Sequence, residues 1–205
     1  MLKILGRKDS SNVQKVLWCC AELEVPYERE DVGGKFGRNN EAPYLSMNPN
    51  GRVPTIVDDG FVMWESNAIV RYLCAKHDRE AKLLPREPHA RALAEQWMDW
   101  QQTTLSSDMR TLSRTLLAKP ADDTPPDRLE SAKQNALRAW RTLDAQLAKH
   151  DYVAGPALTM ADVVLGNAAY RWHEMPFERP GYHNVAALYA RLKTRPAYRQ
   201  HIIEA

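Results

Sequence analysis

The stretch NPNGRVPTIVDDGFVMWESNAI, residues 48–69, decides the fold of this 205-residue chain. It opens on a polar turn, Asn48-Pro49-Asn50-Gly51, and passes through Arg52-Val53-Pro54 into a short apolar run, Thr55-Ile56-Val57. Asp58-Asp59-Gly60 predicts a tight hairpin turn, because Asp and Gly tolerate the positive φ that such turns need. Phe61-Val62-Met63-Trp64 is the returning strand. Glu65-Ser66-Asn67 then opens a helix, with small and acidic residues where free backbone N–H groups want acceptors. A strand pair that ends on a helix N-terminus is a place to hold an anion.

On the N-terminal side, Leu2, Ile4 and Leu5 predict a first strand ended by Gly6. The segment Arg7-Lys8-Asp9-Ser10-Ser11-Asn12 is polar and rich in capping types. Val13, Val16, Leu17, Cys20 and Leu23 recur at helical spacing, so residues 12–24 read as a helix that Pro26 stops. Residues 26–32 fit an exposed strand. Strand, helix and strand within about 32 residues make a βαβ unit, which forces a parallel pair. Residues 33–47 read as a loop with a helical turn. Its glycine-rich start, Gly33–Gly37, lacks the residue order and strand-to-helix setting of a phosphate loop. A helix over 66–77 is expected to bury Ala68, Ile69, Tyr72 and Leu73. Residues 1–77 thus read βαβ then ββα, a compact α/β unit.

On the C-terminal side the composition changes. Residues 78–88 carry two prolines and many charges, and read as a linker. From 89 to 205 only helical periodicity is visible. A long helix over 89–118 carries Leu93, Trp97, Trp100, Thr104 and Met109. A loop is expected at 119–126, and a second helix over 127–149 with Leu129, Ala132, Ala136, Trp140, Leu143 and Leu147. Thr159-Met160-Ala161-Asp162 spells a reciprocal capping box with Asp in place of Glu, flanked by Leu158 and Val163 as a hydrophobic staple. We read it as a folding device. A loop over 173–184, a helix over 185–195 and a short terminal helix from Pro196 complete the chain.

The bulk numbers exclude several function classes. A formal net charge of +2, with scattered basic residues, gives no footprint for nucleic acid or an acidic membrane. The start, MLKILGRKDS, is too polar for the apolar core of a secretory leader, and no uncharged apolar run approaches bilayer length. Three cysteines (19, 20 and 74) and six dispersed histidines form neither a disulfide framework nor a metal clip. A reduced, cytoplasmic protein without a metal is the expectation.

A small α/β unit followed by an all-helical unit, with VPTIVDDGFVMWES in the first, resembles the cytosolic glutathione S-transferases, and most of all their serine-type bacterial, theta- and delta-like classes. The NP-x-G-x-VP segment, the WES-x-AI segment and the T-x-x-D box carry the resemblance in order, over essentially the whole chain. It implies a thioredoxin-like N-terminal domain (1–77), a linker (78–88), an all-helical C-terminal domain (89–205) and a homodimer. Glutathione would be the co-substrate, no other cofactor would be needed, and the partner substrate would be a small hydrophobic electrophile.

The same resemblance assigns roles. A hydroxyl just before the first helix would donate to the glutathione sulfur. Counting back from Lys15, as the family's basic helix residue, favours Ser11. The S-x-N pattern of bacterial relatives favours Ser10, with Asn12 as a second donor, and Ser10 is our preference. A cis bond before Pro54 would aim the Val53 backbone at the cysteinyl unit. Glu65 and Ser66 would take the γ-glutamyl ammonium and carboxylate. Lys35 and Arg52 are the cations available for the glycine carboxylate, since Gly51 stands where delta-like relatives keep a histidine. Trp97, Trp100, Met109, Arg110 and Tyr170 are candidates for the electrophile's contacts, expected between the domains. The S-x-N loop also resembles bacterial members that reduce peroxides or disulfides, and the scaffold is reused for binding without catalysis.

Overall fold

The computed structural model describes residues 1–118 and 121–205; Lys119 and Pro120, the start of the loop expected at 119–126, lie outside the described residues. The described chain falls into two compact units, one of residues 1–84 with 196–205 and one of residues 85–195.

The first unit contains β1 (Leu2–Leu5), α1 (Ser11–Glu22), β2 (Tyr27–Glu30), the short α2 (Ala42–Leu45), β3 (Thr55–Asp58), β4 (Phe61–Trp64) and α3 (Ser66–His77). The sheet order is β2-β1-β3-β4. β1 runs parallel to β2, as the βαβ pattern requires, and antiparallel to β3, with Ile4 opposite Ile56 and both wholly buried. β3 and β4 turn on Asp59 (φ 49°) and Gly60 (φ 89°), the two positive-φ positions the hairpin reading called for. α1 and α3 pack against each other. α3 buries Ile69, Val70, Leu73 and Cys74 rather than Ala68 and Tyr72. Tyr72 is displaced to the edge of that face because its hydroxyl donates to Asp58 (2.7 Å) and its ring packs on Phe61.

The supposed linker is organised by one side chain. The Asp78 carboxylate accepts from the backbone N–H groups of Lys82, Leu83 and Leu84 at 2.7–2.8 Å, and Leu83 is buried. The last ten residues return to the first unit: the final turns, α9 (Pro196–Tyr198) and the π-turn Arg199–Ile203, pack on α1, with Trp18 edge-on to Tyr198 at 4.8 Å.

The second unit is helical: α4 (Pro88–Trp100), α5 (Ser106–Leu116), α6 (Pro126–Leu147), α7 (Met160–Glu174) and α8 (His183–Lys193). The long helix expected over 89–118 is interrupted by a π-turn at Gln101–Leu105. Its buried stripe is Ala94, Met98, Gln101, Leu105, Met109 and Leu112, one residue beyond the expected Leu93, Trp97, Trp100 and Thr104. Small Ala94 and polar Gln101 disguised that face. α7 runs to Glu174, so the loop after it begins later than expected. The capping box is present as read: the Thr159 N–H donates to Asp162 Oδ2 at 2.9 Å, and Thr159 Oγ1 accepts from the Ala161 N–H.

Candidate active site

Three segments of the first unit meet: the start of α1, the Val53-Pro54 turn and the start of α3. The first two meet because Gly6 has no side chain. A Cβ there would lie 2.5 Å from Val13 Cγ2 and 3.2 Å from Val53 Cβ, so only glycine lets β1 hand over to α1 this close to the turn. The first and third meet through Lys15, a buried residue of α1 whose ammonium donates to Asn67 Oδ1 on α3 at 3.1 Å. Burial pulls the Lys15 pKa down to about 8, against the opposing pull of the nearby Glu65 carboxylate.

Ser10 is the N-cap of α1, with an extended backbone (φ −77°, ψ 123°), and is 8% exposed. Its side chain makes no capping bond, and among the described residues its hydroxyl has no hydrogen-bond partner. No acidic side chain sits in the first turn. The N-terminus of α1 therefore presents backbone N–H dipoles and one hydroxyl without a neutralising group, which favours an anion. Ser11 is the first helical residue and half-buried; Asn12 is exposed.

The Val53-Pro54 bond is cis. Pro54 is buried and Val53 half-buried against the Leu5, Val32 and Tyr44 cluster. Among the described residues, neither the Val53 N–H nor its C=O is taken by another backbone group. Arg52 is exposed, and so is Lys35, which lies on the 3₁₀ turn Gly34–Phe36 with its ammonium 5.1 Å from the Phe36 ring.

Glu65 is the N-cap of α3 and holds φ 73°, ψ 106°, a backbone state that a non-glycine residue keeps only where its surroundings impose it. Its side chain is exposed and makes no capping bond, while Ser66 is buried at the first helical position. This second helix N-terminus is likewise left without a side-chain cap.

In the helical unit, Trp97 and Trp100 are half-buried on α4, ring to ring edge-on at 5.0 Å. Met109 lies in that unit's core, Arg110 is exposed, and Tyr170 is half-buried on α7 with burial raising its phenol pKa. Sequence reading used Lys15 only as a register mark and passed over Asn67. A lysine amid the apolar spacing of α1 was the signal that could have found the pair.

Known proteins match this architecture along its length. Residues 9–76 match the family described as Glutathione S-transferase, N-terminal domain, and residues 126–193 match Glutathione S-transferase, C-terminal domain. The chain belongs to the glutathione S-transferase family, with that family's thioredoxin-like N-terminal domain and helical C-terminal domain, and it is an enzyme of the glutathione transferase type. It is 36% identical over 202 residues to the Glutathione S-transferase GstB of Escherichia coli K12, covering 98% of this chain and 97% of that protein. The theta class glutathione S-transferase of Xanthomonas axonopodis pv. citri, solved with glutathione bound, superposes with a TM-score of 0.92 at 41% identity, covering 100% of this chain and 98% of that one. Glutathione transferase F2 of Populus trichocarpa shares the fold at 23% identity and a TM-score of 0.89, over 100% of this chain and 98% of its own. No helix among the described residues is long and apolar enough to cross a membrane.

Proposed function

We propose that this chain binds glutathione in the first unit and activates its thiol with the Ser10 hydroxyl for attack on small hydrophobic electrophiles. The observation that carries the reading is the N-cap hydroxyl of Ser10, unclaimed by its own helix. A free thiol with a pKa near 8.5 is only about a few per cent ionised at pH 7. A hydroxyl donor and a bare helix N-terminus both favour the thiolate and raise that fraction. Ser10 donates and does not attack; the nucleophile is the glutathione sulfur. Asn12 is a second donor at the loop, with Ser11 as the competing hydroxyl.

The other ends of the tripeptide have matching groups. The unclaimed N–H and C=O of Val53, before Pro54, pair with the cysteinyl unit as an added strand would. Glu65 accepts from the γ-glutamyl ammonium, and Ser66 with the first N–H groups of α3 receives its carboxylate. Lys35 and Arg52 are the cations for the glycine carboxylate. For the electrophile's contacts the candidates are Trp97, Trp100, Arg110 and Tyr170, with Met109 behind them in the helical core. The Xanthomonas relative's glutathione complex supports this reading of the tripeptide site. As domain organisation we propose 1–77, a connecting segment 78–88 and 89–205, with the last ten residues of the chain packed back on the first unit, in a cytoplasmic homodimer.

Titrating the protein with glutathione by calorimetry, then comparing turnover of an aryl halide, a hydroperoxide and a glutathionyl disulfide, tests the proposal. Conjugation of the aryl halide as the fastest reaction is expected. Dominant peroxide or disulfide turnover replaces the electrophile with a reductive substrate. Absence of glutathione binding removes the catalytic reading altogether.

A further inference from the structure

The turn at Val53-Pro54 is held from beneath by three residues that no role above accounts for. Tyr44, Asn48 and Thr55 are all buried, and their polar atoms form a closed set. Tyr44 Oη donates to the Arg52 carbonyl at 2.7 Å, and Asn48 Nδ2 donates to the same oxygen at 2.7 Å. Asn48 Nδ2 also reaches Thr55 Oγ1 at 3.0 Å, and Thr55 Oγ1 lies 2.8 Å from Tyr44 Oη.

Proton accounting fixes every direction. Asn48 Oδ1 accepts from the Asn50 N–H at 3.1 Å, so its amide nitrogen must face Arg52 and Thr55. Its two amide protons go to the Arg52 carbonyl and to Thr55 Oγ1. The Tyr44 proton goes to the Arg52 carbonyl, so the Thr55 proton must go to Tyr44 Oη. Both lone pairs of the Arg52 carbonyl are used, and burial pushes the Tyr44 phenol above its ordinary range, which keeps it a donor. The residue before Val53 and the residue after Pro54 are thus pinned to one buried network. The Tyr44 ring also packs in the cluster that supports the Val53 side chain. Among the described residues, the Val53 N–H and C=O are left without a backbone partner.

We propose that Tyr44, Asn48 and Thr55 are positioning residues for glutathione, clamping the chain on both sides of Val53-Pro54 so that the Val53 backbone is preset to pair with the cysteinyl unit. This rests on the reading of the site as a glutathione cradle. A preset backbone loses less entropy on binding, so the clamp acts on affinity and leaves the sulfur chemistry at α1 alone.

The test measures glutathione binding by calorimetry, and KM and kcat with an aryl halide, for wild type, Asn48→Asp, Tyr44→Phe and Thr55→Val. Asn48→Asp sets acceptor against acceptor at the Arg52 carbonyl and should raise the glutathione Kd and KM about tenfold. Tyr44→Phe and Thr55→Val each remove one hydroxyl and should raise them about threefold. In all three, kcat at saturating glutathione should stay within about twofold to threefold of wild type, a split that a general loss of packing does not produce. If Asn48→Asp does not fold, the two conservative variants carry the decision. Folded variants that bind glutathione like wild type overturn the clamp while leaving the cradle intact. A fall in kcat with KM unchanged also overturns it. Wild-type protein that does not bind glutathione overturns the cradle, and the clamp with it.

Discussion

α1 and α7 both begin on a hydroxyl residue, Ser10 and Thr159, and the two hydroxyls have opposite circumstances. Thr159 Oγ1 accepts from the Ala161 N–H and donates to Asp162 Oδ2 at 3.0 Å. The Asp162 carboxylate, wholly buried, also accepts from the Val153 and Thr159 N–H groups, both at 2.9 Å. The Thr159 hydroxyl and the Asp162 carboxylate are both spoken for within the chain. At Ser10 the backbone is just as extended, the residue just as enclosed, and the hydroxyl is unclaimed. A cap that is satisfied serves the fold, and a cap left open is a group held in place for something else. The sequence types at the two positions are the same; the difference lies in the third residue of each helix, Asp162 against Val13, which decides whether the cap has a partner.

The largest test of this contrast is Asp162→Ala. It leaves two buried N–H groups and the Thr159 hydroxyl without their acceptor, and should cost about 3 kcal/mol or more. Thermal unfolding should move down by about 6 °C or more, while glutathione affinity, measured in the cold on folded protein, should be unchanged. A wild-type melting curve would show that the closed cap does nothing for the fold.

The second test uses pH. Burial raises the Asp162 pKa to about 6 in spite of the hydrogen bonds that pull it down. In the unfolded chain the group titrates near 3.9, so the folded state holds the proton more tightly. Its contribution to stability is then fully present below about pH 4 and is lost as pH rises through 6. That is a swing on the order of 3 kcal/mol. The stability advantage of wild type over Asp162→Asn should therefore shrink between pH 4 and 7. An advantage that grows over that range would mean the hydrogen bonds, not burial, set the pKa.

Ser10→Ala should show the reverse pattern. Conjugation should fall by about tenfold to a hundredfold, the worth of a hydrogen bond to a charged group, with a melting temperature within about 1 °C of wild type because no capping bond is lost. Ser11→Ala, measured alongside, should keep most of the activity. Equal, near-wild-type rates in both variants would remove the hydroxyl from the chemistry. The smallest effect belongs to Glu65→Ala, which should raise the glutathione KM by about tenfold while changing kcat less. An unchanged KM would take Glu65 out of the cradle.

What could be read in advance was local. Asp59-Gly60 announced its turn because Asp and Gly are residue types that accept the positive φ a tight hairpin needs. Thr159 and Asp162 announced their box because the partners are three apart. What could not be read was set by distant partners. α8 starts at His183, two residues before the expected Val185, because the carboxylate of Asp144, some 40 positions earlier, accepts from the N–H groups of Asn184 and Val185. Residues 78–88 looked like a charged linker, since nothing in their composition told Asp78 apart from its neighbours as the acceptor for a whole turn. In α4, two tryptophans outweighed Ala94 and Gln101 and pulled the apparent apolar face one residue round. In the candidate site, Ser10, Val53-Pro54 and Glu65-Ser66 were visible as motifs. Lys15 and the Tyr44, Asn48 and Thr55 set were not, because a buried lysine or asparagine looks like any polar residue until its partner is known.

The three cysteines deserve a practical use. Cys19, Cys20 and Cys74 are fully enclosed, with the sulfurs of Cys19 and Cys74 3.8 Å apart across α1 and α3. Burial raises the Cys20 thiol to about 12, and its bond to Cys74 together with burial raises that of Cys19. A thiol reagent added to the folded protein therefore finds nothing to label until the two helices part. The colour it develops is a clock for that opening, built into the wild-type chain. Slowing of the clock by added S-methylglutathione, which has no free thiol to consume the reagent, would time how firmly the ligand keeps α1 and α3 shut.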